Sequence, residues 1–521
     1  MSAASGGPAA SPSHSPRWRP PPPPPPPTAR PPSARRHGLT AASLDLRREG
    51  APALIYTATG PGDELQRWRI LIQREEMRLR SGRLVGSDEK RRRTLATAIP
   101  DDLLIYEVLI HLPAKSLARC RCVCRFWRTA IAGAAFVHRH LQLSRARPPS
   151  SMLSIPREID AAGDDCATSS EISFHRLPLL LPPAHAHAHA QPPPGASAIT
   201  DTEFIFEKAW PDGITRHIIP THCDGLVAIA TAMDTVFVCN PATREFVVLP
   251  SGTHNELAEL LRLHSGVPVL PVALGFDQWR NRYVIARYFY KKDGEASFNE
   301  ATGEWSQHCY VGHEVFTLGG GGSWEVTEYP PQAAGIQSRP VCTRRGIYWH
   351  AADEPQLVRF GLRERAFAVV PRPPTGWNRA GDDMADLDGK LCYVHADGEA
   401  ATFRVWLADD EHDGPHELRW SLRFCIKFLY LPDDPDPDVI HHMRPVISVG
   451  DKVLSAATGK YYPCLLWAAT MSDEEQEAVH FHHGLQYQRP DGSKYMAQSE
   501  DFMHHVLPYF ESLVSLTSYN Y

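Results

Sequence analysis

The sequence predicts a small all-α module followed by an all-β domain of propeller type, with a two-sheet β-sandwich as the alternative. Apolar residues recur at helical spacing between residues 97 and 145. After residue 200, short runs rich in Val, Ile, Phe, Tyr and Trp alternate with turn residues. We therefore divide the chain into a disordered Pro/Arg-rich segment, a helical module, a linker and a β domain: 1–95, 96–145, 146–200 and 201–516.

The first 95 residues are predicted to be disordered. They consist mostly of Pro, Ala, Ser, Arg and Gly, with eight consecutive prolines at Pro20–Pro27. Such a composition buries too little apolar surface to offset the entropy of ordering the chain. The run Lys90–Arg93 fits either a solvated linker, which we favour, or a nuclear localisation patch.

Charge divides the chain into a basic front and an acidic body. The net charge is +9 over residues 1–95, +5 over residues 96–147 and −20 beyond residue 147. Parts of opposite charge are expected to bind different partners. The acidic body should steer a basic partner toward itself.

Three helices are predicted within the module. The stretch "IPDDLLIYEVLIHLP" (99–113) begins at a capping Asp101 and stops at Pro113. It is apolar on nearly all sides, which is typical of a buried helix. A second helix is expected in "AKSLARCRCVC" and a third in "RFWRTAIAGAAFVHRHL".

Three cysteines, Cys120, Cys122 and Cys124, lie two residues apart in the second predicted helix. Residues two apart on a helix point about 200° apart, so only Cys120 and Cys124 would share a side. Zinc needs four ligands in a tetrahedron, usually from Cys-x-x-Cys pairs, and none lies nearby. We therefore expect no metal here, and we interpret Cys120 and Cys124 as small apolar core residues.

The module exposes more apolar surface than fewer than 50 residues can hide, so it should dock onto a partner. The stretch "IPDDLLIYEVLIHLPAKSLARCRCVCRFWRTAI" resembles the F-box, with Ile99 where the family prefers Leu and Cys122 at a variable position. The resemblance implies binding to the Skp adaptor, and through it to a cullin, in a ubiquitin ligase. Carried over by position, the residues that would form or support the adaptor-binding face are Ile99, Pro100, Leu104, Leu117, Val123 and Trp127.

A loose strand–turn–strand repeat organises residues 201–516. Its clearest copies are the hairpins at 236–250, 314–330, 357–371 and 403–424, and Gly-led strands precede three of them. Blades of about 40–50 residues are what propellers use. The stretches "CNPATREFVVLP", "LGFDQWRNRYVIARYFY", "GIYWH" and "PYFESLVSL" are similar to the plant F-box-associated domain.

No enzyme motif is found: the sequence lacks a P-loop, G-x-S-x-G, H-E-x-x-H and a G-x-G-x-x-G that follows a strand. We expect a non-catalytic subunit with no cofactor. No apolar run reaches the ~20 residues that span a membrane, and no secretory leader pattern opens the chain. The eleven scattered cysteines fit a reducing compartment, the cytoplasm or the nucleus.

The sequence therefore predicts a substrate-recognition subunit of a Skp–cullin–F-box ligase. The alternative is an adaptor-independent protein-binding scaffold. We expect no membrane partner and no specific nucleic acid. The protein substrate, which the acidic body suggests is basic, should dock on loops of the β domain, with these candidates: Asn255–Ser265, Asp293–Gly303 and Asp409–Pro415.

Overall fold

The structure is a computed structural model. It describes residues 101–147, 150–158, 168–179, 200–215, 218–231, 234–256, 270–292, 297–299, 304–306, 309–335, 338–352, 354–379, 381–397, 402–409, 418–427, 440–449, 452–459, 463–469, 476–477, 480–482, 485–497 and 502–516. The predicted disordered segment 1–95 lies outside these residues.

Helical segments come first, as predicted, but they are shorter and more numerous. The first predicted helix is an α-turn, a π-turn and a 3₁₀-turn in succession: Asp101–Leu103, Leu104–Val108 and Leu109–His111. Three α-helices follow: α1 (Ala114–Cys120), α2 (Arg125–Ala132) and α3 (Ala134–Ala146). The predicted third helix is split because Gly133 has extended backbone angles, with φ −67° and ψ 136°.

The helices enclose a compact apolar core. Its buried side chains from this part of the chain are Ile105, Leu109, Ile110, Ala114, Leu117, Ile131 and Phe136. Leu513, almost 400 residues later in the chain, completes the same core.

Thirty strands follow within the part of the chain that the structure describes. In chain order they are β1 (Ser151–Glu158), β2 (Thr168–Pro178), β3 (Thr200–Asp201), β4 (Glu203–Thr215), β5 (Thr221–Cys223), β6 (Leu226–Ala230), β7 (Val236–Asn240), β8 (Glu245–Val248), β9 (Val272–Asp277), β10 (Arg282–Lys292), β11 (Ser297–Asn299), β12 (Glu304–Ser306), β13 (Cys309–Thr317), β14 (Trp324–Val326), β15 (Val341–Thr343), β16 (Gly346–His350), β17 (Gln356–Gly361), β18 (Phe367–Pro371), β19 (Asp383–Leu387), β20 (Lys390–Asp397), β21 (Thr402–Asp409), β22 (Arg419–Lys427), β23 (Ile440–Val449), β24 (Lys452–Gly459), β25 (Pro463–Ala469), β26 (Gln476–Glu477), β27 (His480–His482), β28 (Leu485–Gln488), β29 (Lys494–Ala497) and β30 (Phe502–Pro508).

These strands form a propeller. Among the described residues, six sheets of four or five strands follow one another, with inner strands β5, β9, β15, β19, β23 and β30. Each inner strand contacts the next, and β30 contacts β5, so the ring is closed. The predicted propeller is confirmed, and the sandwich alternative is wrong.

The predicted repeat corresponds to the blades. All four predicted hairpins are the third and fourth strands of a blade: β7–β8, β13–β14, β17–β18 and β21–β22. The Gly-led strands β6, β16 and β20 are second strands. β6 and β16 are buried at every residue between neighbouring blades, which is why they read as unbroken apolar runs.

The closing blade corrects the prediction that residues 146–200 are a linker. Its order is β30-β1-β2-β4, and β1 pairs antiparallel with β30 from Met152↔Pro508 to Glu158↔Phe502. Local composition hid β1 and β2 because these strands lie between Pro-rich and acidic stretches, and β30, which pairs with β1, is far away in the sequence. The chain therefore closes its ring with strands from both ends of the domain.

The ring has two faces, which the helical module distinguishes. The inner strands all run in the same direction from one face of the ring to the other. The helices contact residues that follow the ends of two of them: Asp224 after β5 and Glu511 after β30. Ala242, between β7 and β8, also packs against the helical core. We call this side the module face and the opposite side, where inner strands begin, the far face.

Candidate functional site

The helical module leaves several apolar side chains outside its core. Tyr106, Val108, Val123 and Phe126 are exposed, Val123 most of all at 65%. We call these four residues the apolar surface of the module. Exposed aromatic and aliphatic side chains on a small domain are typical of a protein-binding surface.

The six residues predicted to form or support the adaptor-binding face are placed differently. Ile99 and Pro100 lie outside the described residues. Leu104 is half-buried, and Trp127 is half-buried against the helical core. The remaining two are extremes: Val123 is exposed, and Leu117 is fully buried. Because Leu117 is fully buried, it cannot contact a partner directly in this arrangement.

The cysteine stretch is only partly as predicted. Cys120 ends α1 and packs against the helical core, but Cys122 and Cys124 are exposed. Cys124 precedes α2, and its Sγ accepts a hydrogen bond from the Trp127 N–H at 3.4 Å. The prediction that Cys124 is a core residue is wrong, because α1 ends at Cys120 and the two sulfurs do not share a helix. Among the described residues, no group of three His, Cys, Asp or Glu side chains is arranged to hold a metal.

An ion pair fixes the end of α3 to the module face. Arg145 of α3 pairs with Asp224, which is buried, and the Tyr283 hydroxyl donates to the other Asp224 oxygen at 3.0 Å. Burial and the Asp224 charge raise the pKa of Tyr283, so its hydroxyl stays a donor. Asp224 and Gly225 both have positive φ, 55° and 78°, which is the tight hairpin turn that joins β5 to β6.

The segment 511–516, which we call the C-terminal strap, runs between the module and the ring. Glu511 accepts the Ala114 N–H at 2.6 Å, and Leu513 lies in the helical core. Asn240 Nδ2 donates to the carbonyls of Ser512 and Val514 at 3.1 and 2.7 Å. Val514 and Leu516 lie in the apolar core shared by the first two blades. The strap therefore belongs to both cores at once.

The far face carries exposed aromatic side chains on ordered loops. Trp377, 40% exposed, lies between β18 and β19, and Tyr329 lies exposed between β14 and β15. The first loop is held by buried Asp382, which accepts from the Asn378 N–H at 3.1 Å, the Tyr393 hydroxyl at 2.7 Å and His395 Nδ1 at 2.8 Å.

A second buried network supports the same face. Arg287 donates to Glu314 at 2.7 Å and to Asp234 at 2.8 Å, and it also donates to the Thr253 carbonyl at 3.0 Å. These contacts tie the turn before β7 and the loop after β8 to the second blade.

The three predicted substrate loops lie mostly outside the described residues. The strands that precede these loops nevertheless do not all end at the same face of the ring. β8 and β10 end at the far face, but β21, as the third strand of its blade, ends at the module face. The loop Asp409–Pro415 therefore starts on the opposite side from the other two.

The helices in the described part of the chain lack the length and hydropathy needed to cross a bilayer. The sequence did not predict the C-terminal strap as a connection between the two cores, although "PYFESLVSL" is similar to the F-box-associated domain. It also missed the aromatic residues of the far face, which have no repeating pattern.

Comparisons with known proteins agree with the two predicted modules. The F-box domain matches residues 98–138, and the F-box associated beta propeller domain matches residues 188–453, about half of the chain. An F-box protein of Arabidopsis thaliana is 26% identical over 321 residues, 60% of this chain and 74% of that protein. An F-box/LRR-repeat protein of the same species is 25% identical over 337 residues, 62% of this chain and 66% of its own length.

Solved structures are more distant. A chain of a nidogen/laminin complex has a TM-score of 0.33 at 9% identity, covering 68% of this chain and 98% of its own. This value is too low to bear on function. The family matches, in the order predicted from the residues, show that the chain belongs to the F-box proteins that carry an F-box-associated β-propeller domain.

Proposed function

We propose that this protein is the substrate-recognition subunit of a Skp–cullin–F-box ubiquitin ligase. The helical module would bind the Skp adaptor, and the propeller would bind a protein substrate. The apolar surface of the module, left outside an otherwise closed core, is the observation that carries this proposal. The F-box match supports the choice of the Skp adaptor as the partner, because F-box domains typically bind it.

The two-faced ring supports a division of labour. The module occupies one face through Asp224 and the C-terminal strap, which leaves the far face for a second partner. Trp and Tyr are enriched among residues that dominate binding energy, and Trp377 and Tyr329 are exposed there. Because the loop of Trp377 is held by Asp382, little ordering entropy is lost on binding.

In this role the chain contributes proximity rather than bond chemistry. A substrate held on the far face would be presented to a conjugating enzyme at high effective concentration. We place this activity in the cytoplasm or the nucleus. Seven cysteines among the described residues, Cys120, Cys122, Cys124, Cys223, Cys239, Cys342 and Cys392, form no disulfide, which suits a reducing compartment.

Adaptor binding is tested with Val123→Glu. A carboxylate in the apolar surface should abolish co-precipitation with the Skp adaptor, because a charge without a partner is costly to desolvate. Val326→Glu is the matched control, since Val326 is 55% exposed on a propeller strand away from the module. The control should bind like wild type, with both variants equally folded by circular dichroism.

Leu117→Arg is not a binding test, because Leu117 is fully buried and the variant is expected to unfold the module. If wild-type protein fails to capture the adaptor, the receptor role is wrong, and the adaptor-independent scaffold becomes the better interpretation. If Val123→Glu binds as well as wild type, the apolar surface is not the adaptor site.

Substrate binding is tested with a pair of tryptophans. Proximity labelling in plant cells with Trp377→Ala should lose partners that wild type labels, whereas Trp279→Ala should keep them. Trp279 is a fair control because it is 44% exposed in the β9–β10 turn, on the module face. A basic substrate would also associate more slowly as salt rises, since screening weakens attraction to the acidic body. Equal labelling by both variants would remove the far face from consideration.

A further inference from the structure

The inner strands surround the central channel of the propeller, which narrows to a cavity of about 30 Å³. All six inner strands contribute to its lining, through Thr221, Leu274, Val341, Ala385, Pro445 and Leu507. A water molecule needs about 10–15 Å³ of such space. The cavity therefore accommodates two or three waters, or the head of a small polar group that enters from the channel mouth.

Two arginines point into this cavity at its far-face side. Arg339 lies just before β15, and its Nη1 donates to the carbonyl of Pro220, just before β5, at 2.7 Å. Arg444 of β23 donates from Nη2 to the Val506 carbonyl at 2.9 Å. Because both bonds go to the backbone, they hold the guanidinium groups in place without neutralising them.

The positive charge of this pair is poorly compensated. A guanidinium has five N–H groups, and each of these arginines spends only one on the bond described above; the Nε of Arg339 is buried without a hydrogen-bond partner. Among the described residues, Asp383 is the carboxylate whose charge acts on both, and it does so without a hydrogen bond to either. His222 and His505 lie close by, and burial lowers the pKa of both. Both imidazoles are therefore neutral at neutral pH, and they neither add to the positive charge of the arginines nor compensate it.

The acidic side chain at the module-face end of the cavity does not neutralise the charge of the two arginines. Asp386 lines the cavity toward the module face, where burial raises its pKa to about 7. A carboxyl that is partly neutral at physiological pH is a weak counter-ion. Two like charges withdrawn from water are unfavourable unless an anion joins them.

We propose that the far mouth of the channel binds an oxyanion, a carboxylate or phosphate group carried by the substrate, between Arg339 and Arg444. Guanidinium groups bind such oxygens through paired, charge-assisted hydrogen bonds. The two arginines form a positive site on a body whose net charge beyond residue 147 is −20. The acidic body would attract the basic surface of a substrate, and the positive site would then select one acidic group on that substrate. That the anion belongs to a substrate rests on the proposed function, whereas anion binding itself does not.

The test uses the purified full chain and inorganic anions, without the adaptor. Sodium phosphate and sodium acetate, each compared with sodium chloride at equal ionic strength, are titrated while the melting temperature is followed. At least one of the two should stabilise wild type in a saturable manner. Arg339→Gln and Arg444→Gln should each weaken the apparent affinity about tenfold or more, since a charge-assisted bond is lost.

Two further variants make the result decisive. Arg419→Gln removes an exposed arginine on β22, outside the channel, and should respond to anions like wild type. Arg444→Lys keeps the charge but not the planar fork, and should retain part of the response if Arg444→Gln folds poorly. A response to phosphate alone indicates a phosphorylated group, and a response to acetate as well indicates a carboxylate.

No saturable stabilisation of wild type by either anion overturns the proposal. So does equal stabilisation of wild type and both channel variants, which would be a general salt effect. Since adaptor capture is not measured, failure here leaves the receptor role standing, and failure of adaptor capture leaves the anion site standing.

Discussion

The sulfur of Cys124 lies at the start of α2 and accepts a hydrogen bond from the Trp127 N–H, a position where Ser, Thr, Asp or Asn is usually found. The first N–H groups of a helix have no partner within the helix. Cys124 satisfies one of them, although a thiol sulfur is a weak acceptor. This role places the residue at the helix boundary and also leaves it exposed.

We therefore expect Cys124→Ser to be at least as stable as wild type and Cys124→Ala to be less stable than Cys124→Ser by about 1 kcal/mol, because serine is the better cap. Urea unfolding followed by circular dichroism measures the difference. Cys122→Ser serves as the control, since Cys122 is exposed and should not change the unfolding free energy. Equal stability of the Ser and Ala variants at position 124 would show that the cap contributes nothing.

At the scale of secondary-structure elements, the closing blade depends on strands from both ends of the β domain. β1 lies between β30 and β2, so removing β1 and β2 exposes two unpaired strand edges, on β30 and β4. It also removes Leu153, Ile155, Ile172 and Phe174 from one apolar core. A chain that begins at residue 200 is therefore expected to aggregate, and one that begins at residue 148 should keep a folded propeller.

Size-exclusion chromatography and tryptophan fluorescence distinguish these outcomes. The comparison also tests where the β domain begins. A domain that begins after residue 200, as the composition predicts, would fold without β1 and β2, whereas a domain that begins at residue 151, as in the structure, would not. A folded monomer that begins at residue 200 would mean that the ring closes without β1 and β2.

Elements whose signal is local could be predicted, and elements that depend on distant partners could not. β6 and β16 were predicted because both faces are buried and the residues are apolar throughout. The hairpin turns carry their own turn residues, such as Asp388 and Gly389 with φ 57° and 80°. In contrast, nothing near Leu513 indicates that it belongs to the helical core, and nothing near Arg339 indicates that Arg444 is its neighbour.

At the scale of the whole molecule, buried histidines make folding sensitive to acid. Burial lowers the pKa of His175 to about 4 and of His313 and His504 to about 3, from an ordinary value of 6.5. The unfolded chain therefore binds protons below pH 6.5 that the folded chain excludes. The free energy of unfolding should be unaffected by these groups above pH 6.5 and should fall progressively as the pH drops from 6.5 toward 4.

Each such histidine lowers the unfolding free energy by at most about 1.4 kcal/mol per pH unit in this window. Urea midpoints at pH 7.5, 6.5 and 5.5 measure the slope. His313→Gln should make the slope shallower by up to one proton, whereas His138→Gln, which alters an exposed side chain of α3, should not. A stability that is constant from pH 7.5 to pH 5.5 would contradict the assignment of these histidines as neutral and buried.

The pairing of β1 with β30 also has a consequence in time. A ribosome adds about 5–20 residues per second, so β30 is synthesised roughly 20–70 s after β1, the strand with which it pairs. Leu513, which completes the helical core, is made later still. Until then both the first helices and the first strands are unfinished, and a chain that stops early has neither a closed ring nor a complete module. The helical module, which would bind the adaptor, is therefore completed only after the propeller, which would bind the substrate. A chain whose synthesis is interrupted would thus be unable to bind the adaptor.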